Sequence, residues 1–229
     1  MKYILASNFF KYLFTGFLSL IAIKLLAQEQ SSKRKYLPIE IMYFGGVQFN
    51  HAGNLNSVLK DSGAGQVPVF GWNAGLGTAY RINKMLIGVN FSLSTNGKKN
   101  NTLNTGDFTI YVASNAIRTG NLVFSPQLGL GAQSSTFIIE KQNMNGTFQD
   151  FLTNQSNETK LEHTAAIVDI SVALKTTNKD RTLFFPECRV GYKSSISANE
   201  WKVTNATVTN TPKDRLGSFY LQLAWGIGR

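Results

Sequence analysis

Cysteine is nearly absent: Cys188 is the lone thiol in 229 residues, which excludes an internal disulfide framework and a Cys-rich zinc site. Charge is also scarce. Asp, Glu, Lys and Arg together make up 16% of the chain, well below the roughly 25% usual for a soluble globular domain. Hydrophobic residues at 43% and aromatics at 12% exclude pure disorder. After residue 30 no stretch approaches 18 consecutive apolar residues, so no later helix can cross a membrane. Proline is sparse at five, whereas the 20 Gly and 16 Phe lie among many Asn, Ser and Thr. That mixture suits a β-rich chain punctuated by polar turns, and the length suits one β domain.

Acidic residues are missing from the first 27 positions, which hold Lys2, Lys11 and Lys24. Removing these cations from the formal +10 leaves +7. The remaining charges are scattered rather than gathered in a stripe, so nucleic acid is not an expected partner. Tyr12 to Ile23 form an uncharged apolar run of about 12 residues, too short for a transmembrane helix but suited to the core of a secretory signal peptide. We expect residues 1–27 to be a cleaved signal, 28–37 a short N-terminal segment, and 38–229 the folded domain.

Period-two alternation sets the fold class. Met85, Ile87, Val89, Phe91 and Leu93 share one face, with Leu86, Gly88, Asn90, Ser92 and Ser94 on the other. The same pattern recurs near 39–50, 70–80, 107–116, 122–133, 166–175, 184–196 and 218–227, giving eight strands. Connections alternate in length. Short ones fall at 81–84, 118–121 and 176–181; long ones fall near 51–66, 95–106, 135–162 and 198–214. An up-and-down meander with this bias places every long loop at one end, as in outer-membrane barrels. The fold class expected is therefore an all-β, eight-stranded antiparallel transmembrane barrel with three short turns and four long loops. Eight strands enclose only enough space for their own side chains, so a filled interior is expected.

Parity assigns individual roles. With turns at Ile82-Asn83 and Thr119-Gly120-Asn121, inward residues meet inward residues. A third turn centred near Lys179 sets Asp169 opposite Arg189, and Glu187, Lys175 and Lys193 share that face; we expect an interior salt-bridge cluster of these five, because buried charge persists only when paired. Tyr80, Phe124, Phe184 and Trp225 near the short turns, with Phe49, Phe70, Phe91, Phe108 and Tyr192 toward the long loops, are expected to form aromatic girdles. Pro126 and Pro186 fall within strands, where a closed barrel must weaken its ladder. Phe137, Ile138, Ile139, Trp201 and Val203 suggest strands rising above the membrane, whose edges could take up a partner strand.

Signal segment, eight strands and loop asymmetry resemble the small outer-membrane barrels of the OmpA and OmpX type and the PorT-like barrels of Gram-negative bacteria, with Pro126-Gln-Leu-Gly-Leu-Gly-Ala132 and Leu221-Gln-Leu-Ala-Trp-Gly-Ile227 typical in style. The resemblance implies an exported cell-surface protein of the outer membrane, inserted by the barrel-assembly machinery, with outer-membrane lipid and lipopolysaccharide as surroundings and a structural or adhesin-like role. The extracellular ligand is not specified by the sequence. Neither His51 nor His163 lies two residues from a serine on one strand face, so no enzyme, no metal site and no cofactor is expected. The alternative is a secreted soluble barrel or sandwich that binds a small apolar ligand.

Overall fold

The computed structural model describes residues 39–61, 65–98, 101–140, 158–176, 184–204 and 211–227, with the side chains of residues 98, 140, 184, 185 and 227 outside that description. The expected signal segment 1–27 and the linker 28–37 lie outside the described residues, as does most of the third long connection. Eight long strands form the molecule: β1 (Ile39–His51), β2 (Phe70–Ile82), β3 (Met85–Lys98), β4 (Asn101–Ser114), β5 (Leu122–Glu140), β6 (Glu158–Thr176), β7 (Phe184–Ser195) and β8 (Gly217–Ile227). Each pairs antiparallel with its sequence neighbours, and β1 also pairs with β8 from Ile41↔Ile227 to His51↔Gly217, closing the sheet into a barrel. Following the ladder once around from Leu174 on β6, through Cys188, Leu223, Gly45, Ala74, Leu93, Gly106 and Ser134, returns to Thr164, ten residues along the same strand. That stagger in eight strands gives a tilt of about 40° and a bore that side chains can fill.

Alternation dictates which face is which. Along β1 the even residues Glu40, Met42, Phe44 and Gln48 are buried, whereas Ile41, Tyr43 and Phe49 are exposed. In β3, Leu86, Asn90, Ser92 and Asn96 are buried while Met85, Ile87, Phe91 and Leu93 stand outward. The outer wall is thus almost wholly apolar, and Leu128, Leu130, Ile170, Val190 and Leu223 are each more than half exposed. A water-soluble sheet arranges these faces the other way round.

All three turn registers differ from those read in the sequence. Ile82 pairs with Met85, so the first short turn is Asn83-Lys84, with Asn83 at φ 55 in the left-handed region. Ala79 then opposes Gly88 rather than Leu86; a shift of two preserves parity, so every side chain keeps its face. Between β6 and β7 the displacement is four: Asp169 opposes Lys193, Arg189 opposes Ala173, and Glu187 opposes Lys175. The connection there, from Thr176 to Phe184, is longer than a tight turn and centred two residues later. At the middle turn Thr119 pairs with Leu122, so the turn is Gly120-Asn121, two residues rather than three, with Gly120 at φ 58 and Ile117 opposite Phe124 rather than Val123; a bulge between Ile117↔Phe124 and Ala113↔Gln127 absorbs the one-residue slip.

The prolines lie at ladder breaks. Pro126 pairs with Val172 on β6 but falls at the bulge toward β4, and Pro186 pairs with Trp225 on β8 just past the last β6–β7 pair. The missing N–H groups therefore fall where pairing has already lapsed.

The long connections carry structure. β3 and β4 continue their ladder to Lys98↔Asn101, and β5 and β6 to Glu140↔Glu158. Phe137, Ile138 and Ile139, read from sequence as a protruding strand, pair with Leu161, Lys160 and Thr159 of β6, whose other edge is covered by the chain after β7: Lys202 and Val203 pair with Glu162 and Leu161, and Ile196 and Thr204 donate to the carbonyls of Ala166 and Lys160.

The outward position of Val89, between Thr78 and Ile110, gives a test. Val89→Arg is expected to reduce folding stability in lipid vesicles by roughly 2–4 kcal/mol, the range for a cation at mid-bilayer on a barrel wall, whereas Val89→Leu should be nearly neutral. A small cost for the arginine, measured by denaturant titration, would place Val89 away from lipid.

Candidate functional site

Two assemblies of side chains occupy the barrel from end to end, an ion-paired interior and an apolar cap at the long-loop end. Inside, small and large residues face each other across the strands. Tyr111 lies on Gly88, where a Cβ would stand 2.6 Å from the ring, and Phe44 and Tyr220 lie in the same way on Gly75 and Gly191. Glycine is required at these points by close approach.

Near the short turns Glu187 is the hub. It accepts two hydrogen bonds from Arg189, at 2.7 and 3.0 Å, and its second oxygen lies 3.2 Å from Lys175 Nζ. Lys175 also reaches Glu40 at 3.4 Å, and Arg81 donates to the same Glu40. Arg189, 2% exposed, extends between the rings of Phe44 and Tyr111, 5.8 and 5.9 Å from their centroids. Further up, Lys193 Nζ sits 2.6 Å from Asp107 Oδ1 and 5.3 Å over the Tyr220 ring, and Ser92 donates to the other Asp107 oxygen at 2.7 Å. Asp169 accepts from the Tyr220 hydroxyl at 2.7 Å.

The five charged residues selected from sequence all point inward and are buried, but they divide between two networks. Lys175, Glu187 and Arg189 meet in the lower one. Lys193 belongs to the upper one, and Asp169 bonds to Tyr220 and is not the partner of Arg189. Glu40, Arg81, Asp107 and Ser92 complete the pairs and were not singled out. Parity had placed Glu40 and Asp107 inward, but naming their partners requires the strand order and stagger of the closed barrel.

Of the outward aromatics, Phe91 and Phe108 pair directly across β3 and β4. Tyr80, Phe124 and Trp225 stand outward and exposed near the short turns; the Phe184 side chain lies outside the described ones. Phe49, Phe70 and Tyr192 stand in one row, Tyr192–Phe219–Phe49–Phe70, over four consecutive strands, with Trp72 beside it; Phe219 and Trp72 are the members the sequence reading did not place there.

The cap was not legible as such in the sequence. A helix α1 (Gly53–Asp61) carries Leu55 and Leu59 one turn apart, and both pack with Ala52, Val67, Leu103, Phe137, Trp201 and Leu216. Nine residues do not hold a helix alone. Asp214, from the last long connection, supplies what is missing: its carboxylate accepts from the backbone N–H of Asn54 and Leu55 at 2.9 and 2.7 Å and from Trp201 Nε1 at 3.2 Å. A carboxylate at that position satisfies orphan donors and complements the helix dipole.

His163, at the cap end of β6 and 1% exposed, lies against Trp201 with ring centroids 4.9 Å apart and tilted, and places Nε2 3.2 Å from the Asp214 carbonyl oxygen, while Nδ1 makes no close hydrogen bond among the described residues. Burial holds its pKa below the ordinary 6.5, against the opposing effects of the Asp214 carbonyl and carboxylate and an Asn199 backbone contact. His51 is exposed at the end of β1. No group of three His, Cys, Asp or Glu able to hold a metal occurs among the described residues.

Two predictions test these assignments. Removing one partner of a buried ion pair strands the other, at about 3–5 kcal/mol, so Glu187→Ala should destabilise the barrel on that scale. A double-mutant cycle should show stronger coupling of Glu187 with Arg189 than of Asp169 with Arg189. In the cap, the unfolded state takes up a proton near pH 6.5 before the folded His163 does, so cap stability is full above pH 6.5 and is lost as pH falls through the depressed folded value. Trp201 fluorescence, recorded with Trp72 and Trp225 replaced by Phe, should report cap loosening in that acidic window, and His163→Gln should flatten the response.

No family model matches the chain, and no curated protein matches it. Among solved structures, the chain is similar to Neisserial surface protein A, with a TM-score of 0.53, 11% identity, and coverage of 86% of this chain and 100% of that one. It is likewise similar to a major outer membrane protein from Thermus thermophilus, with a TM-score of 0.51, 8% identity, and coverage of 83% and 99%. At such identities the likeness concerns the fold, which is that of the small outer-membrane β-barrels.

Proposed function

We propose that this protein is a non-enzymatic barrel of the Gram-negative outer membrane that acts as a structural or surface-binding component through its capped long-loop end. One observation carries the reading: the apolar face of all eight strands points out of a closed barrel, and the polar and charged face points in. In water that distribution exposes a continuous apolar wall far larger than a soluble monomer tolerates. In a bilayer the wall meets lipid, and closure leaves no backbone edge unpaired in the hydrocarbon. A soluble carrier of an apolar ligand needs an apolar interior; here Asn73, Asn90, Gln127, Asp169 and Arg189 line it.

Export of residues 28–229 after cleavage of the leader, insertion by the barrel-assembly machinery and an outer leaflet of lipopolysaccharide complete the proposal. The outward aromatics then lie at the two interfaces, where their amphipathic rings are most stable. With an even number of strands, β1 starts at Ile39 and β8 ends at Ile227 on the same side, beside the short turns, and this reading assigns that side to the periplasm. Surface binding falls to the cap, whose apolar core gives a rigid platform in place of free loops.

Trypsin added to intact cells should leave Arg81, Lys84 and Arg118 uncut, because turns beneath the membrane are shielded, and should cut at Lys141 in the connection between β5 and β6. Unheated samples should also migrate differently from boiled ones on detergent gels. Cleavage at the short turns in intact cells would reverse the orientation, and recovery of the chain in the soluble fraction would overturn the proposal.

A further inference from the structure

The two ends of the barrel differ in how they handle charge. At the capped end carboxylates as well as cations are exposed, as in the pairs Lys160–Glu158 at 2.6 Å and Lys213–Glu200 at 3.2 Å. At the short-turn end the described carboxylates, Glu40 and Glu187, are buried and turned into the bore. Lys175 and Arg189 are buried with them, and Arg81 reaches in to Glu40. Lys84 and Arg118 are exposed, neither has a carboxylate partner among the described residues, and Arg81 is half-exposed beside them. Among the described residues the rim is thus positive on its outside, because the carboxylates at this end are already paired within the barrel.

These cations are held in place. The Lys84 carbonyl accepts from the Asn115 N–H at 2.9 Å, tying the first turn to the end of β4, and Arg118 Nε donates to the Gly120 carbonyl across its own turn at 3.5 Å. Each adjoins the last outward apolar residue of its strand: Met85, 48% exposed, follows Lys84, and Ile117, 58% exposed, precedes Arg118. A cation one residue beyond the apolar wall stands at the level where lipid phosphates lie, and its long stem can run along the wall while the charge reaches the headgroup.

We propose that the short-turn rim, centred on Lys84 and Arg118, binds the phosphates of anionic phospholipids in the leaflet it faces. Attraction of this kind is strong enough per cation to enrich anionic lipid around the rim several-fold and is screened by salt. The placement of the cations at the edge of the apolar wall favours lipid over the acidic peptides of a cell wall, which would lie further out. The inference rests on the membrane-spanning reading but not on which leaflet the rim faces.

The test uses the folded full barrel in symmetric vesicles, so orientation does not enter. Trp201 is buried in the cap, and Ile117 is exposed beside Arg118, just past the end of β4 that bonds the Lys84 carbonyl; with Trp72 and Trp225 replaced by Phe and Ile117→Trp as the reporter, quenching by brominated lipid reads the lipid beside the rim cations. Brominated phosphatidylglycerol should be preferred over brominated phosphatidylcholine by about threefold to tenfold at low salt, and the preference should vanish in high salt. Lys84→Gln with Arg118→Gln should bring it close to one, whereas Lys160→Gln with Lys213→Gln should leave it unchanged; unheated gel mobility confirms that each variant is folded. Equal quenching by the two lipids, or a preference indifferent to the rim variant, overturns the proposal. Rim-dependent binding to purified cell-wall sacculi without a lipid preference would assign the cations to the wall instead. Failure of the barrel to enter vesicles at all would refute the membrane-spanning reading itself.

Discussion

Closure of the backbone ladder between β1 and β8 is the constraint from which the remaining features follow. A barrel has no edge, so its outer wall can be apolar without exposing unpaired N–H or C=O groups to lipid. The same closure makes the inner face a confined volume. Eight strands with a stagger of ten leave room for side chains and little else, and the inward residues must therefore fit and neutralise one another. Phe44 on Gly75, Tyr111 on Gly88 and Tyr220 on Gly191 solve the fitting; Glu187, Glu40 and Asp107 solve the charge.

The charge solution follows from what a buried guanidinium demands. Arg189 cannot shed its proton and is almost wholly shut off from water, so it needs Glu187 at short distance. Removing the acid and the base together would cost less than removing either, because buried pairs gain little over apolar substitutes and lose much when halved. The interior network is better understood as fixing register than as adding stability. Sliding β7 by two residues against β6 would take Glu187 from beside Lys175 to a position beside Ala173, leaving both charges stranded.

Strand positions and faces were legible in the sequence because period-two alternation survives any even error in register. The turn at Asn83-Lys84 illustrates this: it lies one residue later than read, which slips the pairing by two and changes no face. Partner identity was not legible, since it depends on the centre of each turn. The Asp169–Arg189 pairing failed for that reason, and the Glu40–Lys175 contact, between β1 and β6, is not a ladder pairing at all but a crossing of the bore. The cap was hidden for a different cause. Leu55 and Leu59 offered a four-residue spacing too short to read as a helix, and the residue that stabilises it, Asp214, lies 160 positions from Asn54.

Cap and plug divide the polar work of the molecule between its ends. At the short turns the negative charge is drawn inside to pair with Lys175, Arg189 and Arg81, and the described outside is left cationic. At the long loops the carboxylate of Asp214 is likewise drawn inside, but to backbone donors of α1 and to Trp201, so no cation is consumed and exposed pairs such as Lys213–Glu200 remain balanced. One end is therefore held together by ion pairs in a polar bore and the other by apolar packing around a single buried carboxylate. The two should respond to different perturbations: salt and pH reach the cap through His163 and its surface pairs, while in the interior network Arg189 and Glu187 are shielded by the wall and the half-exposed Arg81 is the member that meets solvent. That separation lets the cap vary without disturbing the ladder on which the barrel depends.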